Sequence, residues 1–471
     1  MTAVIELPSF AGRTVAVMGL GKSGASAARA LIAAGAQVRA WDDDAARRAD
    51  AERARIPLVD LHAADLEAAR TLVWSPGIPH TYPKPHPVAA RARAAGMEIV
   101  CDVELLAGAR PDATYVGVTG TNGKSTTTAL IGHILGAAGK RVEVGGNLGT
   151  PALDLAPLAR GEIYVLEMSS YQLELTPSLV FDVGVLTNIS PDHLDRHGGM
   201  AGYVAAKRRI FRGQGARATA VIGIDDEQSS VIRNELAAAR LQRVVPISAA
   251  RAVAGGVYAS AGELVDASAG AAHPIADLRG IATLPGQHNW QNAAAAYAAT
   301  RPLGVEPTTI AQALATFPGL KHRQELVAVI DGVRYVNDSK ATNADAAEKA
   351  ILCYDRIYWI AGGRAKEGGI AALAPHFGRI QHAYLIGEAA ESFARTLEGR
   401  VAYTIARTLD RAVAEAAKAA QRDGRAGVVV LLSPAGASWD QFANFEARGE
   451  AFRAAVEALP GKRAATRGGR P

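Results

Sequence analysis

At 471 residues, 49% of them hydrophobic, the chain is too long for one ordinary core and predicts two or three globular domains. Its formal charge of +5 comes largely from the closing stretch GKRAATRGGRP, where Lys462, Arg463, Arg467 and Arg470 meet no acid; without those four charges the rest carries +1, which excludes the basic stripe that tracks a nucleic-acid backbone. No apolar run is long enough to span a membrane, and the two cysteines, Cys101 and Cys353, lie far apart and outside any metal-type spacing, as reduced thiols of a cytoplasmic protein would.

The N-terminal MTAVIELPSF lacks the basic residues and long apolar run of a signal peptide. After it TVAVM reads as a buried parallel strand, and Gly19, Gly21 and Gly24 form G-x-G-x-x-G ahead of a helix, ASAARALIAAG. The next strand, QVRAW, ends at Asp42 and Asp43, roughly where a Rossmann βαβ unit holds a ribose. By itself this fingerprint suits a nicotinamide dehydrogenase, but any nucleotide diphosphate satisfies a helix N-terminus. TLVWSPGI then predicts a strand followed by a turn at Ser75, Pro76 and Gly77, at the end of the sheet where ligands bind.

A second segment opens with TYVGVTGTNGKSTT: strand, glycine loop, helix. In the usual phosphate loop the first glycine lies five residues before the glycine of Gly-Lys-Ser; here that position is Val118, flanked by Gly117 and Gly120. The loop therefore predicts a phosphate cradle of a variant kind, with ATP as its ligand. ATP requires Mg²⁺, and Mg²⁺ requires oxygen ligands, for which Glu167, at the end of the strand in EIYVLEMSS, is a candidate. After the strand VGVLTNIS come Asn188, Asp192, His193, Asp195, Arg196 and His197, with a helix expected to be capped by Ser190 and to begin at Pro191. Lys207 sits beside Arg208 and Arg209 and, on spacing alone, reads as a solvated face. Further strands are expected at ATAVIGID and, in a third segment, at VRYVNDS, RIYWIAGG, HAYLIGE and GVVVLLSPA, the pattern of doubly wound α/β sheets. The boundaries are expected at 1–111, 112–319 and 320–460, with 461–471 a disordered basic tail.

The motifs GVTGTNGKSTT, VLEMSSYQLE, NISPDHLDRHG, AAKRRIF, LPGQHNWQNAAAA, LKHRQE, NDSKATN and LSPAGASWDQFANFEARG, in this order across nearly the whole chain, resemble the Mur ligase family of bacterial cell-wall synthesis, and within it the branch that adds the second amino acid. The resemblance implies three α/β domains: a Rossmann-like one, a central ATPase-type one and a C-terminal Rossmann-like one. It reassigns the first domain to a UDP-sugar, with Leu20, Gly21, Lys22, Ser23, Asp42, Asp43, Ser75, Pro76, Gly77 and Asn147 near the substrate. It places ATP on Gly120, Thr121, Asn122, Gly123, Lys124, Ser125 and Thr126, with Asn289, Asn292, Arg323 and Asp338 as further contacts, and implies that the third domain swings in during turnover. Mg²⁺ falls to Ser125, Glu167 and His193, and to Lys207 once carbon dioxide has converted its amine to a carbamate, so that Lys124, His193 and Lys207 are the implied catalytic set. Thr342, Lys366, Ser438 and Phe445 would bind the incoming D-glutamate, although Gly369 and Ile370 depart from the family pattern after Lys366 and leave neighbouring Arg364 as a rival. The implied reaction joins D-glutamate to UDP-N-acetylmuramoyl-L-alanine through an acyl phosphate, on a monomer with no nucleic-acid or membrane partner. A sibling ligase or a folylpolyglutamate synthase-like enzyme would keep the ATP chemistry and change the acceptor.

Overall fold

The computed structural model describes residues 5–147 and 149–464. The chain divides into two compact units, Met1–Asp277 with Trp290–Leu314, and Leu278–Asn289 with Ala315–Pro471.

The first unit holds two sheets. β1 (Thr14–Met18), β2 (Gln37–Trp41), β3 (Ala69–Trp74) and β4 (Glu98–Val100) form a parallel sheet in the order β2-β1-β3-β4. β5 (Thr114–Thr119), β6 (Val142–Gly146), β7 (Ile163–Glu167), β8 (Val183–Leu186), β9 (Thr219–Gly223), β10 (Arg243–Ser248), β11 (Val257–Ser260), β12 (Glu263–Asp266) and β13 (His273–Asp277) form the other, in the order β13-β12-β11-β10-β9-β8-β5-β7-β6. It is parallel except for the β11-β12 and β12-β13 pairs. Strands such as β1, where Val15–Met18 is buried, and β8, all four of whose residues are buried, are nearly continuous apolar runs because helices cover both faces of a parallel sheet. β5 lies between β8 and β7, so the loops that leave the ends of these three strands open onto one crevice.

In the second unit, β14 (Glu325–Ile330), β15 (Val333–Asn337), β16 (Arg356–Gly362), β18 (Ile380–Ile386), β19 (Tyr403–Arg407) and β20 (Val428–Leu432) form a sheet in the order β14-β15-β20-β16-β18-β19, with only β14 antiparallel. Two-residue β17 (Arg364–Ala365) pairs with β21 (Gly436–Ala437). One apolar cluster around Trp359 and Leu431 covers one face, and another around Ile360 and Val430 covers the opposite one, as alternation along a strand requires.

Every strand expected from the sequence forms, but β4, β6, β10 to β14, β19 and the two-residue β17 and β21 were not foreseen; most are short or sit at sheet edges, where polar residues interrupt the apolar run. Two expectations need correction. The helix expected from Pro191 begins at Leu194, because the amide and carbonyl of Ser190 are both engaged by the Thr121 hydroxyl. Of the basic tail, Gly461–Ala464 is not loose: Asp331 N–H donates to the Lys462 carbonyl and Ala464 N–H to that of Val329, which adds the segment to the edge of β14. Arg467 and Arg470 lie outside the described residues.

Candidate active site

The glycine loop between β5 and the helix Lys124–Ala137 is braced from behind by the segment after β8. Asn188 accepts from Thr121 N–H through its carbonyl and from Asn122 N–H through Oδ1, both at 2.9 Å, and Thr187 Oγ1 donates to the Asn122 carbonyl at 2.6 Å. Thr121 Oγ1 meets the Tyr203 hydroxyl at 3.1 Å. Gly123 stands at φ 83° as the helix cap, and a Cβ there would collide with Asn292 Oδ1, which also accepts from Thr127 Oγ1 at 3.2 Å. The result is a loop whose amides lead into a helix N-terminus, the arrangement that binds phosphate. Lys124 Nζ donates to the carbonyls of Gly120 and Thr121, both at 2.9 Å, and Ser125 and Thr126 are buried at the first turn.

Lys207, expected on spacing to be solvated, is 2% exposed. Its Nζ donates to the Gly120 carbonyl at 2.7 Å and lies 4.6 Å above the Tyr203 ring. Burial, with the charge of Lys124 adding to it, pushes its ammonium well below the ordinary lysine range, against the weaker pull of Asp192 and Glu167. Glu167, also buried, accepts from Asn147 Nδ2 at 2.8 Å through Oε1, while its Oε2 is a buried oxygen with no hydrogen-bond partner. An unpaired carboxylate oxygen beside a phosphate cradle fits a divalent cation. Asn147 is thus brought to Glu167, whereas His193 is half exposed, caps a short helix in the left-handed region and pairs with Asp192 at 3.4 Å.

At the first sheet, Ser75 packs on Gly19, and its Oγ donates to that carbonyl at 3.3 Å, so the Leu20–Ser23 turn and the Ser75–Gly77 turn adjoin. Asp42, the expected ribose acid, accepts instead from Leu20 N–H at 2.6 Å and Asp44 N–H at 2.9 Å. Asp43 accepts from His62 Nε2 at 2.9 Å and His86 Nε2 at 2.8 Å; these bonds outweigh burial and hold its carboxyl below the usual range. The ligating atoms of this trio lie within 4.8 Å of one another, but the Val88 amide points at His86 Nδ1 and so places the proton on Nε2, making it a hydrogen-bonded cluster rather than a metal centre.

Within the second unit, Asp338 follows β15 and accepts from Ser433 Oγ at 2.8 Å and Gln324 N–H at 3.1 Å; its burial nevertheless raises its pKa to about 7 against the pull of Ser433 and Arg323. Asn289 donates to the Pro285 carbonyl at 2.8 Å. Of the four residues expected at the amino acid, Ser438 is buried, Thr342 and Phe445 are half-buried and Lys366 is exposed; Arg364 pairs with Glu388 at 3.1 Å. Sequence reading passed over Arg448, which organises this region: fully buried, it donates to Ser339 Oγ, the Ser339 carbonyl and the Gly436 carbonyl at 2.9–3.0 Å, while Ser339 donates to the Phe445 carbonyl at 2.8 Å. A buried arginine inside the ARGEAF helix carries no local signal beyond its place among apolar neighbours.

Three family descriptions match the chain in succession: "Mur ligase MurD-like, N-terminal domain" over residues 13–101, "Mur ligase middle domain" over 118–300 and "Mur ligase, glutamate ligase domain" over 322–436. The UDP-N-acetylmuramoylalanine–D-glutamate ligase of Rhodospirillum rubrum is 58% identical, covering 100% of this chain and 99% of its own; that of Paramagnetospirillum magneticum is also 58% identical, over 97% and 99%. Among solved structures, the MurF ligase from Thermotoga maritima in complex with ADP shares the fold at a TM-score of 0.58 and 19% identity, covering 97% of this chain and 98% of that one.

Proposed function

Because the chain belongs to the Mur ligase family, we propose that it is the ATP-dependent ligase that joins D-glutamate to UDP-N-acetylmuramoyl-L-alanine in peptidoglycan precursor synthesis. The full-length identity to two glutamate-adding ligases carries this reading, and the phosphate loop with its buried lysine supplies the chemistry.

An amine that attacked a free carboxylate would have to expel oxide. Transfer of the terminal phosphoryl of ATP to the alanyl carboxylate instead gives an acyl phosphate and ADP; the glutamate nitrogen adds to its carbonyl, loses a proton, and the tetrahedral adduct expels phosphate as the amide forms. The amides of Gly120–Thr126 and the helix N-terminus hold the phosphates, and Lys124 turns from its own loop carbonyls to the transferring group, a task of positioning and electrostatics. Mg²⁺, when bound, would neutralise phosphate charge; Glu167 through Oε2, with Ser125, His193 and a carbamylated Lys207, would hold it. The carbamate reading is supported by the lowered basicity of Lys207, since only a neutral amine adds to carbon dioxide. The Leu20–Ser23 and Ser75–Gly77 turns receive the nucleotide sugar, with Asp42 shaping the first of them and Asp43 held nearby by His62 and His86, and Thr342, Lys366, Ser438 and Phe445 receive D-glutamate. The enzyme works as a cytoplasmic monomer on small molecules, in keeping with the finding that, among the described residues, no helix is long and apolar enough to cross a membrane.

Phosphate release from ATP tests the reading. It should require both UDP-N-acetylmuramoyl-L-alanine and D-glutamate, with L-glutamate a poor substitute; release that ignores both substrates overturns the assignment.

A further inference from the structure

Between the two turns of the first sheet and the loop of the second lies a chain of polar groups that the mechanism above does not use. Arg93 has only donors, so its Nη2 donates to His80 Nδ1 at 3.0 Å and leaves the proton of that ring on Nε2, which donates to Glu174 Oε2 at 3.1 Å. From the other side His197 Nδ1 donates to Glu174 Oε1 at 3.2 Å, and its Nε2 lies 2.9 Å from Ser170 Oγ. The His197 side chain is fully enclosed and that of Glu174 is 20% exposed. Burial works against the carboxylate charge, but the bonds from His197 and His80 prevail and hold the carboxyl at about 2.

A second tie runs alongside. Arg196 donates to the Tyr82 carbonyl at 3.2 Å and to those of Pro76 and Ile78 at 3.4 Å, and its guanidinium stacks 4.7 Å above Tyr171, itself stacked on His197. Gly198, at φ 68°, leaves so little room that a Cβ would sit 3.0 Å from the Tyr82 ring. Two short stretches therefore grip one turn. Ser170 stands three residues after Glu167, His197 four after His193, and His80 three after Gly77.

We propose that Glu174, clasped by His80 and His197, and Arg196 are positioning residues that set the Ser75–Gly77 turn in register with the phosphate loop, and so fix the approach of the nucleotide sugar's carboxylate to the terminal phosphate of ATP. The inference rests on the ligase reading above. Its physical basis is that phosphoryl transfer needs the reacting atoms within about 3.5 Å, and that a displacement of about 1 Å costs roughly a hundredfold in rate.

The test uses the full-length protein and the variants Glu174→Gln, Arg196→Ala and the milder Arg196→Lys. For Glu174→Gln and Arg196→Ala, kcat for D-glutamate-dependent phosphate release should fall about 10- to 100-fold, while the KM for ATP and the Kd for UDP-N-acetylmuramoyl-L-alanine move less than about threefold and the melting temperature holds. Arg196→Lys should recover part of the loss. Values of kcat within about twofold of wild type overturn the proposal, as does a loss matched by equal weakening of substrate binding or by a lowered melting temperature in Arg196→Lys as well. A wild-type enzyme that shows no D-glutamate dependence overturns the ligase reading itself, so the two failures are distinct.

Discussion

Lys207 shows how far one side chain can depart from its sequence context. Flanked by two arginines it reads as solvated, yet Tyr203, one helical turn earlier, and Ile210 line the buried side of the same stretch and carry Lys207 inward with them. In the folded protein its pKa is depressed, while in the unfolded chain it is near 10.4. Between those values the unfolded state binds the extra proton, so stability is highest above the unfolded value and is lost as pH falls through the window. Lys207→Met should flatten that slope in urea titrations run from pH 7 to 10 without carbon dioxide, and should be more stable than wild type at pH 7. If the proposed carbamate forms, Lys207→Ala should lose at least about a hundredfold in turnover and regain part of it with small carboxylates, which would take its place; full activity without rescue refutes the proposal.

The phosphate loop was readable as an element, since a strand, Gly-Lys-Ser-Thr and an apolar helix are contiguous in the chain. Its bracing was not, because the bonds from Thr187, Asn188 and Asn292 span 65 to 165 residues of chain, and only the β5-β8 pairing and the packing of a distant helix bring them up. The left-handed backbone at Gly123 and the Asn292 amide against it leave no space for a side chain. Gly123→Ala should therefore weaken ATP binding by at least about a hundredfold in calorimetry, by strain of about 1–2 kcal/mol plus the displaced Asn292. Gly136→Ala, in the same helix with nothing within 4 Å of its Cβ, should bind ATP like wild type.

Across the whole molecule, the composition misled at one end and informed everywhere else. The closing basic stretch reads as a tail, yet Gly461–Ala464 hydrogen-bonds to Val329 and Asp331 and places Arg463 Nη2 2.8 Å from the Glu457 carbonyl. Deleting from Gly461 onward should cost about 1–3 kcal/mol in thermal unfolding, while a chain ending at Ala464 keeps those bonds. The central strands of each sheet, the α/β class, the phosphate loop and the family were legible in the sequence itself, because hydrophobic periodicity and glycine-rich turns act over a few residues. Whether Lys207 is buried, which oxygen of Glu167 stays unpaired, how Asp42 is taken up by backbone amides and Asp43 by two histidines, and which groups tie His80 to His197 were decided only by the tertiary structure. Those properties depend on desolvation and on partners far apart in the chain, which come together only when the sheets pack.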